Sequence, residues 1–442
     1  AWETDMDCIE KFKSFILESE IATLEELEAI EKDAKKQVRD EKNEAWKEFN
    51  ALLNDDLATV NSLLNNMATE SSKGSFIQKI ADDLAATMGP IKKDIFTAAK
   101  KGLRYMRDES SPNKTALMNW LKSAQEINSD KYSSHLYSQS DESALKVSGV
   151  PVEYNSDNMI DGRLILRDNF DALFTKYPEI LTFGEDVGKI GGVNQSMEGM
   201  QEKFGVDRVT DTGIRECTIL GQGIGMAMRG LRPIAEIQYL DYLLYAIQIM
   251  SDDLATVQYR TKGGQKAPLI IRTRGHRLEG IWHSGSPMGM IINAVRGIFV
   301  CVPRNMTVAA GFYNTLLQAD DPALVIEPLN GYRIKEKEPA NYTEFKVELG
   351  KVETVIEGTD LTLVSYGSTF NICQEVVKQL AEMDISVDLI DAQCLIPFDR
   401  DHDVAASLAK TNKLVIVDED VESGATAYLL DQILVKQKGY YS

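Results

Sequence analysis

Glu216, in Asp211-Thr-Gly-Ile-Arg-Glu216, stands between Ile214 and Ile219 where a helical pattern begins. A carboxylate so placed suits proton exchange near neutrality. A carboxylate salt-bridged to Arg215, or one resting on a helix N-terminus, fits the same spacing. His283, in Trp282-His-Ser-Gly-Ser286, falls in a Gly- and Ser-rich loop after a strand-like run. Loops of that kind carry function on parallel sheets, although a lone histidine is more often structural. Glycines gather in Gly221-Gln-Gly223-Ile-Gly225-Met-Ala-Met-Arg-Gly230, but Met228 holds the third position of GxGxxG and no GxxxxGK[ST] occurs. This leaves a glycine-rich helix that a neighbouring element or a ligand can approach closely. The 4 histidines form no HExxH pair and the 5 cysteines no CxxC pair, so no metal site is expected.

The elements that must position these groups differ along the chain. From Asp5 to Asn128 the pattern is helical, with a Thr23-Leu-Glu-Glu26 capping box and an apolar stripe of Leu24, Leu27, Ile30, Ala34 and Val38. Further helices fit Phe76 to Met88 and Ile91 to Met106, the first ended by Gly89-Pro90. A serine-rich stretch over 129–158 reads as a linker or extended crossover. Beyond it, short apolar runs alternate with helical ones: Ile180 to Phe183, Pro268 to Arg272, Gly297 to Val302 and Ala323 to Glu327. That alternation predicts an α/β unit with a parallel sheet covered on both faces. A second α/β pattern begins near Glu344, with strands at Leu361 to Tyr366, Ser386 to Ile390 and Lys413 to Asp418. The expected divisions are 1–128, 129–158, 159–340 and 341–442.

Composition narrows the function classes. A net charge of -20 argues against binding nucleic acid or anionic membranes. No apolar stretch approaches the ~18–20 residues of a membrane span. Odd, scattered cysteines read as reduced, buried thiols and favour a cytoplasmic setting.

Several motifs together carry a resemblance. Phe183-Gly-Glu-Asp-Val-Gly188, Gly191-Gly-Val193, Arg208 to Glu216, Gly230-Leu-Arg-Pro-Ile-Ala-Glu-Ile-Gln238, Asp241-Tyr242 and Trp282-His283-Ser284 look like the beta subunit of the thiamine-diphosphate-dependent 2-oxo acid dehydrogenases. The match runs from about Met159 to the C-terminus, and Asp7 to Leu53 is similar to the last helices of the alpha subunit. The resemblance implies a transketolase-like pyrimidine-binding domain and a transketolase C-terminal-type α/β domain, preceded by an all-α region. It also implies thiamine diphosphate with Mg²⁺ as cofactor, a 2-oxo acid as substrate, and a lipoyl acyltransferase core and a second copy of the chain as partners. The acidic charge suits docking to basic segments of that core. In this family the glutamate matching Glu216 bonds the aminopyrimidine and favours the imino form that deprotonates the thiazolium carbon. Tyr242 matches the residue stacked on the pyrimidine, Glu185 an acidic neighbour, and His283 a histidine of acyl transfer to the lipoyl group. Glu236 to Tyr242 resembles the branched-chain more than the pyruvate branch.

Departures bound what the resemblance implies. The family holds diphosphate and Mg²⁺ with a GDG…N motif on its alpha subunit, and no GDG occurs in these 442 residues. The expected polypeptide is therefore an incomplete part of the enzyme, with a shortened C-terminal domain and little activity alone. A family potassium site matching Leu316 to Pro322 is not carried over, since Ala319 and Asp321 replace its ligands. Rival readings are a transketolase or deoxyxylulose-phosphate synthase, against which 4 histidines count, and a non-catalytic assembly module.

Overall fold

The computed structural model describes residues 2–275 and 285–439, in two compact units, 1–132 and 133–442. The first unit is helical: α1 (Trp2–Asp5), α2 (Cys8–Glu18), α3 (Leu24–Glu70), α4 (Gly74–Ala86), α5 (Lys92–Tyr105) and α6 (Pro112–Ser133). The capping box at the start of α3 is formed, Thr23 N–H reaching Glu26 Oε2 at 2.8 Å and Glu26 N–H reaching Thr23 Oγ1 at 3.3 Å. Val60, Leu64 and Met67 of α3 recur at helical spacing and pack on Ile77, Ala81 and Leu84 of α4 and Ile95, Ala98 and Ala99 of α5. A side chain at Gly102 would collide with Leu64, so that glycine lets α5 close on α3. The stripe expected at the start of α3 is not part of this core, because Leu24, Ile30 and Val38 are exposed.

The second unit opens with β1 (Met159–Asp161), α7 (Gly162–Lys176), β2 (Ile180–Gly184), α8 (Met200–Phe204), β3 (Val209–Asp211), α9 (Glu216–Met228) and β4 (Arg232–Glu236). It continues through α10 (Val257–Arg260), β5 (Ile270–Gly275), α11 (Met288–Ala294), β6 (Phe299–Cys301), α12 (Met306–Leu316), β7 (Ala323–Pro328) and β8 (Lys335–Lys337). The last elements are β9 (Glu353–Ile356), β10 (Leu361–Ser365), α13 (Gly367–Ala381), β11 (Val387–Asp391), β12 (Cys394–Ile396), α14 (Asp403–Thr411), β13 (Leu414–Ile416) and α15 (Ala425–Asp431).

The main sheet runs β12-β6-β7-β5-β4-β2-β3. It is parallel except at β12, which pairs antiparallel with β6. Its strands are buried runs rich in β-branched residues, as a sheet covered on both faces requires. A smaller sheet runs β13-β10-β11-β9, with β9 antiparallel. β12 lies beyond residue 340 in sequence yet completes the main sheet.

The segment expected as a linker is seated on this unit. Ser138 and Ala144 donate backbone N–H groups to the two oxygens of Asp321 at 2.7 and 3.0 Å, and Ser140 Oγ reaches Asp320 at 2.6 Å. Serines that read as solvated linker in composition serve here as donors to two buried carboxylates. The cysteine expectation needs the same kind of correction. Cys301, Cys373 and Cys394 are buried, but Cys8 and Cys217 are exposed. Among the described residues no helix is long and apolar enough to cross a membrane.

Candidate functional site

Three adjacent parallel strands, β4, β2 and β3, set the site at their carboxyl ends, the edge where open α/β sheets take ligands. Glu185 directly follows β2, Glu216 opens the helix that follows β3, and Tyr242 lies in the 3-10 turn Leu240–Tyr245 that follows β4. Side chains separated by 57 positions in sequence, from Glu185 to Tyr242, are thus gathered at one edge.

Glu216 is only 8% exposed. Arg215 does not pair with it, its Nη1 donating instead to the Ile214 carbonyl at 2.8 Å. Among the described residues Glu216 has no hydrogen-bond or ion-pair partner, and neither does Glu185. Burial, with Glu216, Asp186 and Glu236 nearby, holds the Glu185 carboxyl above its ordinary range. Burial also raises the Tyr242 phenol, helped by Asp241, Glu185 and Glu216. Cys217 Sγ donates to the Tyr245 carbonyl at 2.5 Å, tying the start of α9 to the turn that carries Tyr242. Tyr242 meets Tyr239 edge-on at 6.0 Å and Tyr245 at 6.4 Å between ring centroids.

The glycine-rich helix divides by face. A Cβ at Gly223 would sit 2.8 Å from Leu269 Cδ1 and 3.5 Å from Ala235 Cβ, so that glycine lets α9 close on the sheet, whereas Gly221 and Gly225 face open space. The loop after β2 turns through Gly191 and Gly192, with φ of 76° and 79°, a region that glycine enters without cost. Asp211 fixes its start by accepting the Gly188 and Lys189 N–H groups at 2.6 and 3.2 Å.

Beneath the site lies a buried charge cluster that sequence reasoning missed. Arg272 of β5 bridges Glu236 of β4, at 2.5 Å, and Glu327 of β7, at 2.7 Å. Arg274 lies 2.8 Å from the other oxygen of Glu236, and Tyr313 Oη donates to Glu327 at 2.7 Å. Both arginines and both glutamates are buried. The available signal was Ile270-Ile-Arg-Thr-Arg274, two cations at period two inside an apolar strand.

His283 lies outside the described residues. In the 316–322 loop, Ala319 is buried, the Leu316 carbonyl accepts from Arg232 at 2.8 Å, and Asp320 pairs with Lys266.

Comparison with known proteins gives two family matches, the transketolase pyrimidine binding domain over residues 158–335 and the transketolase C-terminal domain over 350–441. The pyruvate dehydrogenase E1 component subunit beta of Acholeplasma laidlawii is 32% identical over 274 residues, 61% of this chain and 82% of that protein. The 2-oxoisovalerate dehydrogenase subunit beta of Bacillus subtilis is 32% identical over 56% of this chain and 75% of its own length. The pyruvate dehydrogenase E1 component subunit beta of Staphylococcus epidermidis is 34% identical over 58% and 78%. Among solved structures, a split gene transketolase in an inactive beta4 tetramer shares the fold, with a TM-score of 0.50 and 18% identity over 63% of this chain and 84% of that one.

Proposed function

Because the chain belongs to the beta-subunit family of the thiamine-diphosphate-dependent 2-oxo acid dehydrogenases, we propose that its β4-β2-β3 edge receives the pyrimidine half of that cofactor. The observation that carries this is Glu216, a nine-tenths buried carboxylate with no protein partner among the described residues. A carboxylate held at this edge without a protein donor among the described residues is free to accept from a ligand, and a ring nitrogen of a bound aminopyrimidine is a partner that fits it. Once bound, the cofactor supplies the nucleophilic carbon and the electron sink for decarboxylation of a 2-oxo acid.

Within this reading Glu216 holds a proton at the pyrimidine nitrogen, and the half-buried Tyr242 ring offers a face for stacking. Glu185, with its raised proton affinity, limits the negative charge that Glu216 must tolerate beside it. His283 serves transfer of the acyl group to a lipoyl domain. Diphosphate and Mg²⁺ are held by an alpha-type domain, and the partners are a lipoyl acyltransferase core and a second copy of the chain. Branched-chain 2-oxo acids are the favoured substrates.

The test is Glu216→Gln in the chain assembled with an alpha-type partner. Turnover of 3-methyl-2-oxobutanoate should fall about 10²–10⁴-fold, the usual contribution of a positioned acid–base group, with the melting temperature held or raised. Unchanged turnover would remove Glu216 from the reaction, and turnover of ribose 5-phosphate in its place would favour sugar-phosphate chemistry.

A further inference from the structure

We propose that Arg274 is a positioning residue for Tyr242, holding the chain where it leaves β4 so that the 3-10 turn presents the tyrosine to the site. The inference rests on the assignment of Tyr242 to the cofactor pocket and adds the device that aims it.

Within the buried cluster the two arginines divide the work. Arg272 engages Glu236 of β4, both oxygens of Glu327 of β7 and the Ser196 hydroxyl in the loop after β2. Arg274 reaches past the sheet. Its Nη1 donates to the Gln238 carbonyl at 3.0 Å, two residues beyond the end of β4, while Nε donates to Tyr332 Oη at 3.0 Å and Nη2 lies 2.8 Å from Glu236 Oε1. One rigid fork therefore grips the exit of β4 at residues 236 and 238, just before the Leu240–Tyr245 turn. Gln238 passes this order on, its side chain donating to Asp186 at 3.2 Å in the loop that follows Glu185.

A second observation points the same way. The residue after Arg274 is Gly275, where a Cβ would lie 2.8 Å from Leu240 Cβ, so the first residue of the turn rests directly on bare backbone. A Cβ at Gly192 would sit 3.7 Å from Arg274 Nη2, placing the glycine loop against the same guanidinium. Stability alone does not call for this arginine. Buried ion pairs contribute little net stability over apolar replacements, and their best-attested use is fixing one geometry among several.

The experiment follows amide hydrogen exchange across residues 239–245 in the full chain, which needs no bound cofactor. Arg274→Met combined with Glu236→Gln keeps the cluster charge-balanced while releasing Gln238. Its 239–245 amides should exchange at least about tenfold faster, with those of 324–327 in β7 unchanged. Tyr332→Phe, which removes a hydrogen bond from the cluster but not the grip on Gln238, should lower the melting temperature without selective loss at 239–245. Wild-type protection of 239–245 in the double variant overturns the proposal. Should that variant not fold, Arg274→Lys gives the same readout, because one ammonium keeps the charge but cannot hold residues 236, 238 and 332 together; unchanged protection there overturns it equally. Tyr242→Ala with unchanged affinity for thiamine diphosphate in the assembled enzyme would remove the stacking assignment, while leaving the exchange result to stand or fall by itself.

Discussion

Gly275→Ala tests whether the platform under Tyr242 is as tight as it looks. The new Cβ would lie 2.5 Å from Leu240 Cδ2, 2.8 Å from Leu240 Cβ and 3.2 Å from Ile326 Cγ2. The Leu240 methyl can swing aside, but its Cβ moves only with the backbone of the turn. Carbon atoms prefer about 3.5–4.0 Å, so the start of the turn must retreat by about 0.7–1.2 Å. Overpacking of this kind costs about 1–3 kcal/mol. Loss of glycine freedom in the unfolded chain returns about 0.4–1 kcal/mol. The net of about 1–2 kcal/mol lowers the melting temperature of a unit this large by roughly 2–6 °C.

The functional effect should be larger than the structural one. Misplacing a binding group by ~1 Å can cost up to about 100-fold, so the apparent affinity for thiamine diphosphate in the assembled enzyme should fall about 10–100-fold. Thermal denaturation, exchange at 239–245 and cofactor titration measure the three consequences. Adding Leu240→Gly removes the colliding atoms, so the double variant should be less destabilised than the sum of the singles. Unchanged melting and exchange in Gly275→Ala, or strict additivity in the double variant, would refute the steric argument.

Other perturbations test other joints. Asp321→Ala strips two backbone N–H groups and the Gln258 amide of their acceptor. At about 1–3 kcal/mol for each buried donor left unmet, less the relief of burying a charge, the net loss should be about 2–4 kcal/mol. Faster proteolytic cleavage within 134–146 would report it, and wild-type resistance would contradict the anchoring. Glu185→Gln should stabilise at pH 8 by about 1–2 °C, because it removes a half-buried carboxylate that repels Glu216. The pH sign follows from the raised proton affinity: stability from Glu185 is present below its ordinary value of 4.5 and is lost as pH rises through the raised one. The advantage of the variant should therefore vanish toward pH 4, and an advantage that grew on acidification would reverse the argument.

Much of the scaffold was legible in the sequence because local rules govern it. The α3 cap follows from Thr23 and Glu26, and β2, β5, β7, β10 and β11 follow from runs of apolar residues that a twice-covered sheet demands. β4 was not legible, since Arg232-Pro-Ile-Ala-Glu236 has a proline and charged ends, and its pairing with β2 and β5 overrides its weak local signal. The 134–146 segment escaped for a related reason: its serines look solvated until Asp320 and Asp321, some 180 positions away, are brought to them.

The site shows where such reasoning stops. Glu216 and Glu236 read alike, each a carboxylate among apolar residues, and both are buried at the same edge of the sheet. Register separates them. β4 pairs Glu236 directly with Arg272 of β5, and Arg274 stands two residues on along the same face. That carboxylate is therefore neutralised by the protein and serves the fold. β2 lies between β4 and β3, bringing Glu185, a second carboxylate, toward Glu216 in place of a cation. Glu216 consequently stands beside a second carboxylate with no protein hydrogen bond or ion pair among the described residues, an arrangement that a proton-sharing ligand would complete. Neither environment is written in the residues around either glutamate. Both follow from which strands lie next to each other, so the division between structural and chemical carboxylates is a property of the sheet order.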